Sequence, residues 1–181
     1  VMGHKVGWLT LYAGMAGGAD IILLPEIPYD IKKVVAAIEH RTKAGKGFTI
    51  LAVAEGAISK DDAKLSKKEY KKKQEKSPYP SVSYEIAAEI GKKLGSEVRV
   101  TVPGHTQRGG SPTPYDRVLC TRLGAEGAKA ILEKDFGHMI AMVNNEVRRV
   151  PLENVAGKLK TVDPNAQIVK EAKLTGISFG D

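Results

Sequence analysis

Two short apolar runs, Ile21 to Leu24 and Phe48 to Ala54, flank a segment in which Val34, Val35, Ala37 and Ile38 recur on a helical period. Strand, helix and strand in that order are what a parallel sheet with helices on its faces requires. The punctuation agrees. Pro25 closes the first run, and Gly45 to Gly47 ends the helix predicted over 31–43. The alternation extends along the chain. Gly7 to Gly18 reads as a helix with small residues suited to close packing, and Ser83 to Leu94 as a helix ended by Gly95. Val98 to Val102 alternates apolar and polar and predicts a strand stopped by Pro103. Pro114 to about Leu132 predicts a long helix with Tyr115, Leu119, Leu123 and Ile131 along one side. Met139 to Val143 and Arg148 to Val150 read as a strand pair, and Ala166 to Leu174 as a terminal helix. The predicted fold class is α/β.

Composition narrows the functions open to such a fold. The 181 residues, 42% hydrophobic and 27% charged, are enough for a buried core in one or two domains. The apolar runs are far shorter than the ~20 residues of a membrane-spanning helix. A lone Cys120 argues against a disulfide-built secreted domain, so the cytoplasm is the expected location. Cys120 falls inside the long predicted helix, where a small buried hydrophobe is expected rather than a reactive thiol. The net charge of +7 raises the question of nucleic acid. Its distribution argues otherwise, because eight lysines against four acids between Lys60 and Lys76 carry more than half of it. That run, stopped by Ser77 to Ser81, reads as a solvated surface helix; a polyanion-binding role is a weak alternative. Lysines without arginine or interleaved aromatics are poorly suited to base readout. Gly14, Gly17 and Gly18 do not form GxGxxG, which argues against a dinucleotide site.

The richest chemistry lies in Pro103 to Pro112, where His105, Thr106, Gln107 and Arg108 precede Gly109 and Gly110. An imidazole, an amide and a guanidinium on a glycine-rich turn suit an anionic ligand, and the next helix starts just beyond. Thr113 is placed to cap it, Pro114 fits the first helical position, and Asp116 sits where a capping-box acid belongs. Helix N-termini favour negative charge. Two further candidates stand near strand ends, where parallel α/β sheets carry their ligand residues. Glu55 follows the run Ile50 to Ala54 and precedes Gly56, so its carboxylate is presented at a strand end, where it can accept from a ligand's donors. Arg99 alternates with Val98, Val100 and Val102, which is expected to leave its guanidinium free to grip a phosphate in bidentate fashion.

Taken whole, PGHTQRGGSPTPYDRVLCTRLGA resembles the sugar-phosphate signature of the 6-phosphofructokinase family, GHxQRGGxPxxxDRxxxxRxG. Val1 to Gly3 with Gly7, then Ala16 to Asp20, Pro25 and Glu26, are similar to another block of that family, and Val53 to Gly56 to its next strand. The ending Gly176 to Asp181 resembles a natural end of the family's chains, whereas Val1 falls inside a motif, so the chain is expected to be the C-terminal part of a longer protein. The resemblance implies a phosphofructokinase-like fold of two lobes. Residues 1–107, with a lysine-rich insertion at 59–80, would form the sugar-phosphate lobe; 108–160 would return to the phosphoryl-donor lobe; 161–181 would cross back. It also implies that Met2, Gly3, His4, Glu55, Arg99, His105, Thr106, Gln107 and Arg108 bind fructose 6-phosphate, with Arg99 reaching the neighbouring subunit's site in a homodimer or homotetramer. His4 departs from the family's arginine and exchanges a permanent charge for a group mostly neutral at pH 7. The donor is expected to be ATP with Mg²⁺, its loop, metal ligands and catalytic base lying outside these residues. Pyrophosphate as donor and a non-catalytic regulatory homologue are the alternatives. Neither nucleic acid nor a membrane is an expected partner.

Overall fold

The structure is a computed structural model describing residues 1–181. It divides into two compact units, unit 1 comprising Val1–Gln107 with Lys160–Asp181, and unit 2 comprising Arg108–Leu159.

Unit 1 is organised around a strand that is apolar on both sides. β1 (Ile21–Leu23) pairs in parallel with β2 (Leu51–Val53), and a bridge between Ile21 and Ser178 adds the C-terminal segment on its other edge. Because side chains of a strand alternate between faces, Ile22 and Leu24 enter one core cluster with Leu11, Val169 and Phe179, whereas Ile21 and Leu23 enter another with Val34, Ile86 and Ile90. Helices α1 (Trp8–Ala16) and α6 (Gln167–Leu174) supply the first cluster, and α2 (Ile31–Lys43) and α4 (Val82–Leu94) the second. Each fully buried aliphatic side chain contributes about 1.5–3 kcal/mol. The Asp30 side chain caps α2 by accepting from Lys32 N–H at 2.8 Å, and Gly95 ends α4 in the left-handed region. The lysine run forms α3 (Lys67–Glu75), opened by a Ser66–Glu69 capping box and with no buried residue.

Unit 2 consists of α5 (Pro114–Leu132) and an antiparallel hairpin of β3 (His138–Val143) and β4 (Glu146–Pro151), turned at Asn144 and Asn145. The predicted box at its start is present. Thr113 Oγ1 accepts from Asp116 N–H, and Asp116 Oδ2 accepts from Thr113 N–H at 3.0 Å. Arg149 ties helix to hairpin through Glu126, Glu133 and Asp135, each at 2.7 Å.

Three expectations are corrected. Residues 98–102 form no strand, because nothing lies beside them with which to build a ladder, and Val98 and Val102 are exposed. Cys120 is exposed rather than buried. Along the predicted apolar side of α5, Tyr115 and Ile131 are 72% and 65% exposed, since a single hairpin covers only part of a 19-residue helix. No helix is long and apolar enough to cross a membrane.

Candidate functional site

At the carboxyl end of β2 the backbone of Val1 to His4 lies against Glu55 and Gly56. The Val1 amino group donates to Val53 O at 2.8 Å, Glu55 N–H to Val1 O at 2.9 Å, and Gly56 N–H to Gly3 O at 3.3 Å. The approach is close enough to demand glycine. A Cβ at position 56 would stand 1.8 Å from His4 O, which no rotamer relieves. Gly3 itself has φ +139°, outside the range of ordinary side-chain-bearing residues. Glu55 thereby leaves its carboxylate exposed at the strand end, beside the exposed His4.

A second segment closes on the first. Residues 104–108 form a 3-10 turn entered through Gly104 at φ +55°, and Gln107 Oε1 accepts from Met2 N–H at 3.0 Å. Gln107 Nε2 donates to Gly104 O at 2.9 Å, so this amide ties the turn to the Met2 strand end. Thr106 Oγ1 donates to Pro103 O, which commits its proton and leaves the oxygen able to accept. His105 and Arg108 are exposed. The structure therefore joins Met2, Gly3, His4, Glu55 and Gln107 within unit 1, with His105 and Thr106 on the same turn.

Arg99 is not joined to this group. Its Nε donates to Glu97 Oε1 at 2.9 Å, and both side chains are largely in solvent. The expectation of a free guanidinium fails because Glu97, two residues away, is near enough for its carboxylate to pair with it.

One residue that supports the site, Glu26, stood out in the sequence only as part of a family-like block, with no role of its own. Gly7 begins α1 with no capping side chain, and both Glu26 carboxylate oxygens accept its N–H, at 2.9 and 3.1 Å. Glu26 Oε1 also accepts from Val162 N–H at 2.9 Å. A charged acceptor at the positive end of α1 fixes where the Met2–His4 segment leaves the helix. The legible signal was an acid just after a strand, facing a helix start without Ser, Thr, Asp or Asn.

No group of three or more His, Cys, Asp or Glu side chains could hold a metal ion. What the group at the end of β2 offers is one carboxylate that can accept from hydroxyls, two imidazoles, and backbone and amide groups that can donate to an anion.

A family model described as phosphofructokinase matches residues 1–131. An ATP-dependent 6-phosphofructokinase of Spirochaeta thermophila is 50% identical over 181 residues, spanning 100% of this chain and 50% of that protein. The crystal structure of Pichia pastoris phosphofructokinase in the T-state superposes with a TM-score of 0.64 at 35% identity, over 85% of this chain and 16% of that one. A pyrophosphate-dependent phosphofructokinase from Nitrosospira multiformis shares the fold, with a TM-score of 0.72 at 20% identity over 99% of this chain and 47% of that one. The chain spans about half the length of the curated relatives it matches.

Proposed function

The chain belongs to the phosphofructokinase family, and from that premise we propose that it carries the fructose 6-phosphate side of an ATP-dependent 6-phosphofructokinase, which converts the sugar phosphate to fructose 1,6-bisphosphate. The observation that carries this reading is the Gln107–Met2 hydrogen bond, which brings the 104–107 turn onto the strand end bearing His4 and Glu55. In this reading Glu55 accepts from the sugar hydroxyls, His105, Arg108 and the remaining amide N–H of Gln107 hold the phosphate, and Thr106, Met2 and Gly3 shape the pocket. His4 takes the place of a permanent cation at the cost of one charge-assisted bond, of order 1.5–3 kcal/mol. Arg99 serves the site of a neighbouring subunit, which requires a homodimer or homotetramer and release from Glu97. Unit 1 is then the sugar-phosphate lobe, and unit 2 the segment that returns to the donor lobe.

Mg²⁺ accompanies the nucleotide in this reading, but these residues gather no ligand set for it. The donor site and the base that accepts the sugar hydroxyl's proton belong to the half of the relatives' length that this chain does not match. A glycolytic role in the cytoplasm follows from the same proposal. ATP is favoured over pyrophosphate because relatives 39–50% identical bear the ATP-dependent name, whereas the likeness to the pyrophosphate-dependent structure is one of fold.

A coupled assay of a full-length protein containing this chain tests the reading. Turnover is expected with ATP and not with pyrophosphate, and Glu55→Gln or Arg108→Met should raise the KM for fructose 6-phosphate by tenfold or more. Unchanged KM values in both variants would remove the proposed sugar site. Turnover by the 181 residues alone would overturn the division between halves. If a full-length protein is inactive until His4→Arg is introduced, the regulatory homologue becomes the better reading.

A further inference from the structure

We propose that the outward half of α3 is a binding surface for a linear chain of phosphate groups, an inorganic polyphosphate. Residues 60–76 carry eight lysines against four acids, and none of them belongs to the sugar-phosphate site. Each acid is already engaged within the segment. Asp61 pairs with Lys64 at 2.9 Å, Asp62 with Lys73 at 2.6 Å and Glu75 with Lys71 at 4.0 Å, while Glu69 Oε2 accepts from the Ser66 N–H and hydroxyl. Lys60, Lys67, Lys68, Lys72 and Lys76 are left exposed without a carboxylate partner.

The helix holds these charges in a fixed array. Its start and inner side are secured by the capping box at Ser66, by the Lys73–Asp62 pair and by the half-buried Tyr70, whose hydroxyl accepts from Gln74 Nε2 at 2.7 Å. At about 100° per residue, Lys67, Lys71, Lys68, Lys72 and Lys76 follow one another around the other half of the circumference, with Glu75 between Lys71 and Lys68. Lys68, Lys72 and Lys76 repeat at every fourth residue, where like charges repel. An anion laid along them removes that repulsion. What the outward half lacks identifies the anion, since all six of its residues are Lys or Glu. It has no arginine, asparagine or glutamine to read base edges, no aromatic ring on which unpaired bases stack and no apolar residue to enter a bilayer. A rigid duplex or a flat lipid surface meets a convex helix along a narrow strip, whereas these lysines spread over half its girth. A flexible phosphate chain bends over that curve and offers each ammonium, a compact point charge, an oxygen partner.

The test measures binding of a labelled linear polyphosphate to a full-length protein containing this chain. Affinity should fall about tenfold or more between about 50 and 200 mM salt, as release of counterions requires, and fructose 6-phosphate should not displace the chain. The combined variant K67Q/K68Q/K72Q/K76Q, which keeps good helix formers in α3, should bind about tenfold more weakly or worse. Glu75→Gln removes a negative charge and frees Lys71, so it should bind about twofold more tightly. Absence of binding at low salt overturns the proposal, as does binding that survives the combined variant, yields to fructose 6-phosphate or is no tighter in Glu75→Gln. Equal or tighter binding of duplex DNA, polyglutamate or anionic lipid vesicles at the same charge concentration also overturns it, because the occupant is then a different polyanion.

Discussion

Unit 1 and unit 2 are built by the same local rules but hold together by different means. In unit 1 both faces of β1 are covered by helices, and all but one of the protein's buried apolar side chains lie there. In unit 2 only Ala130 is buried, while Leu132 and Phe136 are 84% and 68% exposed and the helix is joined to its hairpin by the Arg149 carboxylate cluster. Capping residues, turns and periodicity suffice to start and stop elements. A core needs a third layer, because one helix on one hairpin leaves each with an apolar surface that nothing within the unit reaches.

The largest effect that would sharpen this contrast is Ile22→Ala, which empties a fully buried site and should lower unit 1 stability by about 2–5 kcal/mol in denaturant unfolding. A loss below 1 kcal/mol would mean that the two-faced core is not what holds unit 1. Gly56→Ala comes next. Its new methyl group must displace the His4 carbonyl, at a cost of about 1–3 kcal/mol. The His4 imidazole resonances should shift while those of unit 2 stay in place. In unit 2 a cap is expected to outweigh an apolar side chain. Thr113→Ala should cost about 1 kcal/mol through loss of the capping box, against no more than about 0.5 kcal/mol for Ile131→Ala at an exposed position. The reverse order, read from amide exchange in α5, would break the comparison.

Acid should produce the smallest difference. The Thr113 hydroxyl and backbone N–H hold the exposed Asp116 carboxyl below the usual range, and the Arg149 guanidinium does the same for the half-buried Asp135. A group whose pKa is lowered by folding stabilises fully above its unfolded value, near 4 for Asp, and that contribution fades as the pH falls through the folded value. Protection of the α5 amides, taken relative to their intrinsic exchange at each pH, should therefore fall below about pH 4, with β1 amides keeping theirs. Loosening of β1 before α5 would contradict the assignment.

How much was legible follows the same division. The limits of α2 and α5 were readable to the residue, because Gly45 lies just past one end and Thr113, Pro114 and Asp116 mark the other start. The second strand is shorter than its apolar run, since only Leu51 to Val53 finds the β1 ladder. The lysine-rich helix lies in solvent, as its composition indicated. Residues 98–102 and Cys120 departed from expectation because strand and burial are both properties of neighbours. At the candidate site the residue types could be named from the sequence, but not the Gln107–Met2 bond, the contact of Gly56 with His4 or the diversion of Arg99 to Glu97. The first two join positions far apart in the chain, and the third depends on how two exposed side chains are turned.

The sequence by itself determined where elements begin and end, which faces of β1 are apolar, and the set of groups offered to an anionic ligand, since caps, periodicity and side-chain chemistry act over a few residues. Only the tertiary structure decided which apolar faces are covered, that the backbone of Val1 bonds to the end of β2, and that Glu26 anchors the start of α1. Burial, ladders and close backbone approach require a partner surface, and that surface comes from residues distant in the chain.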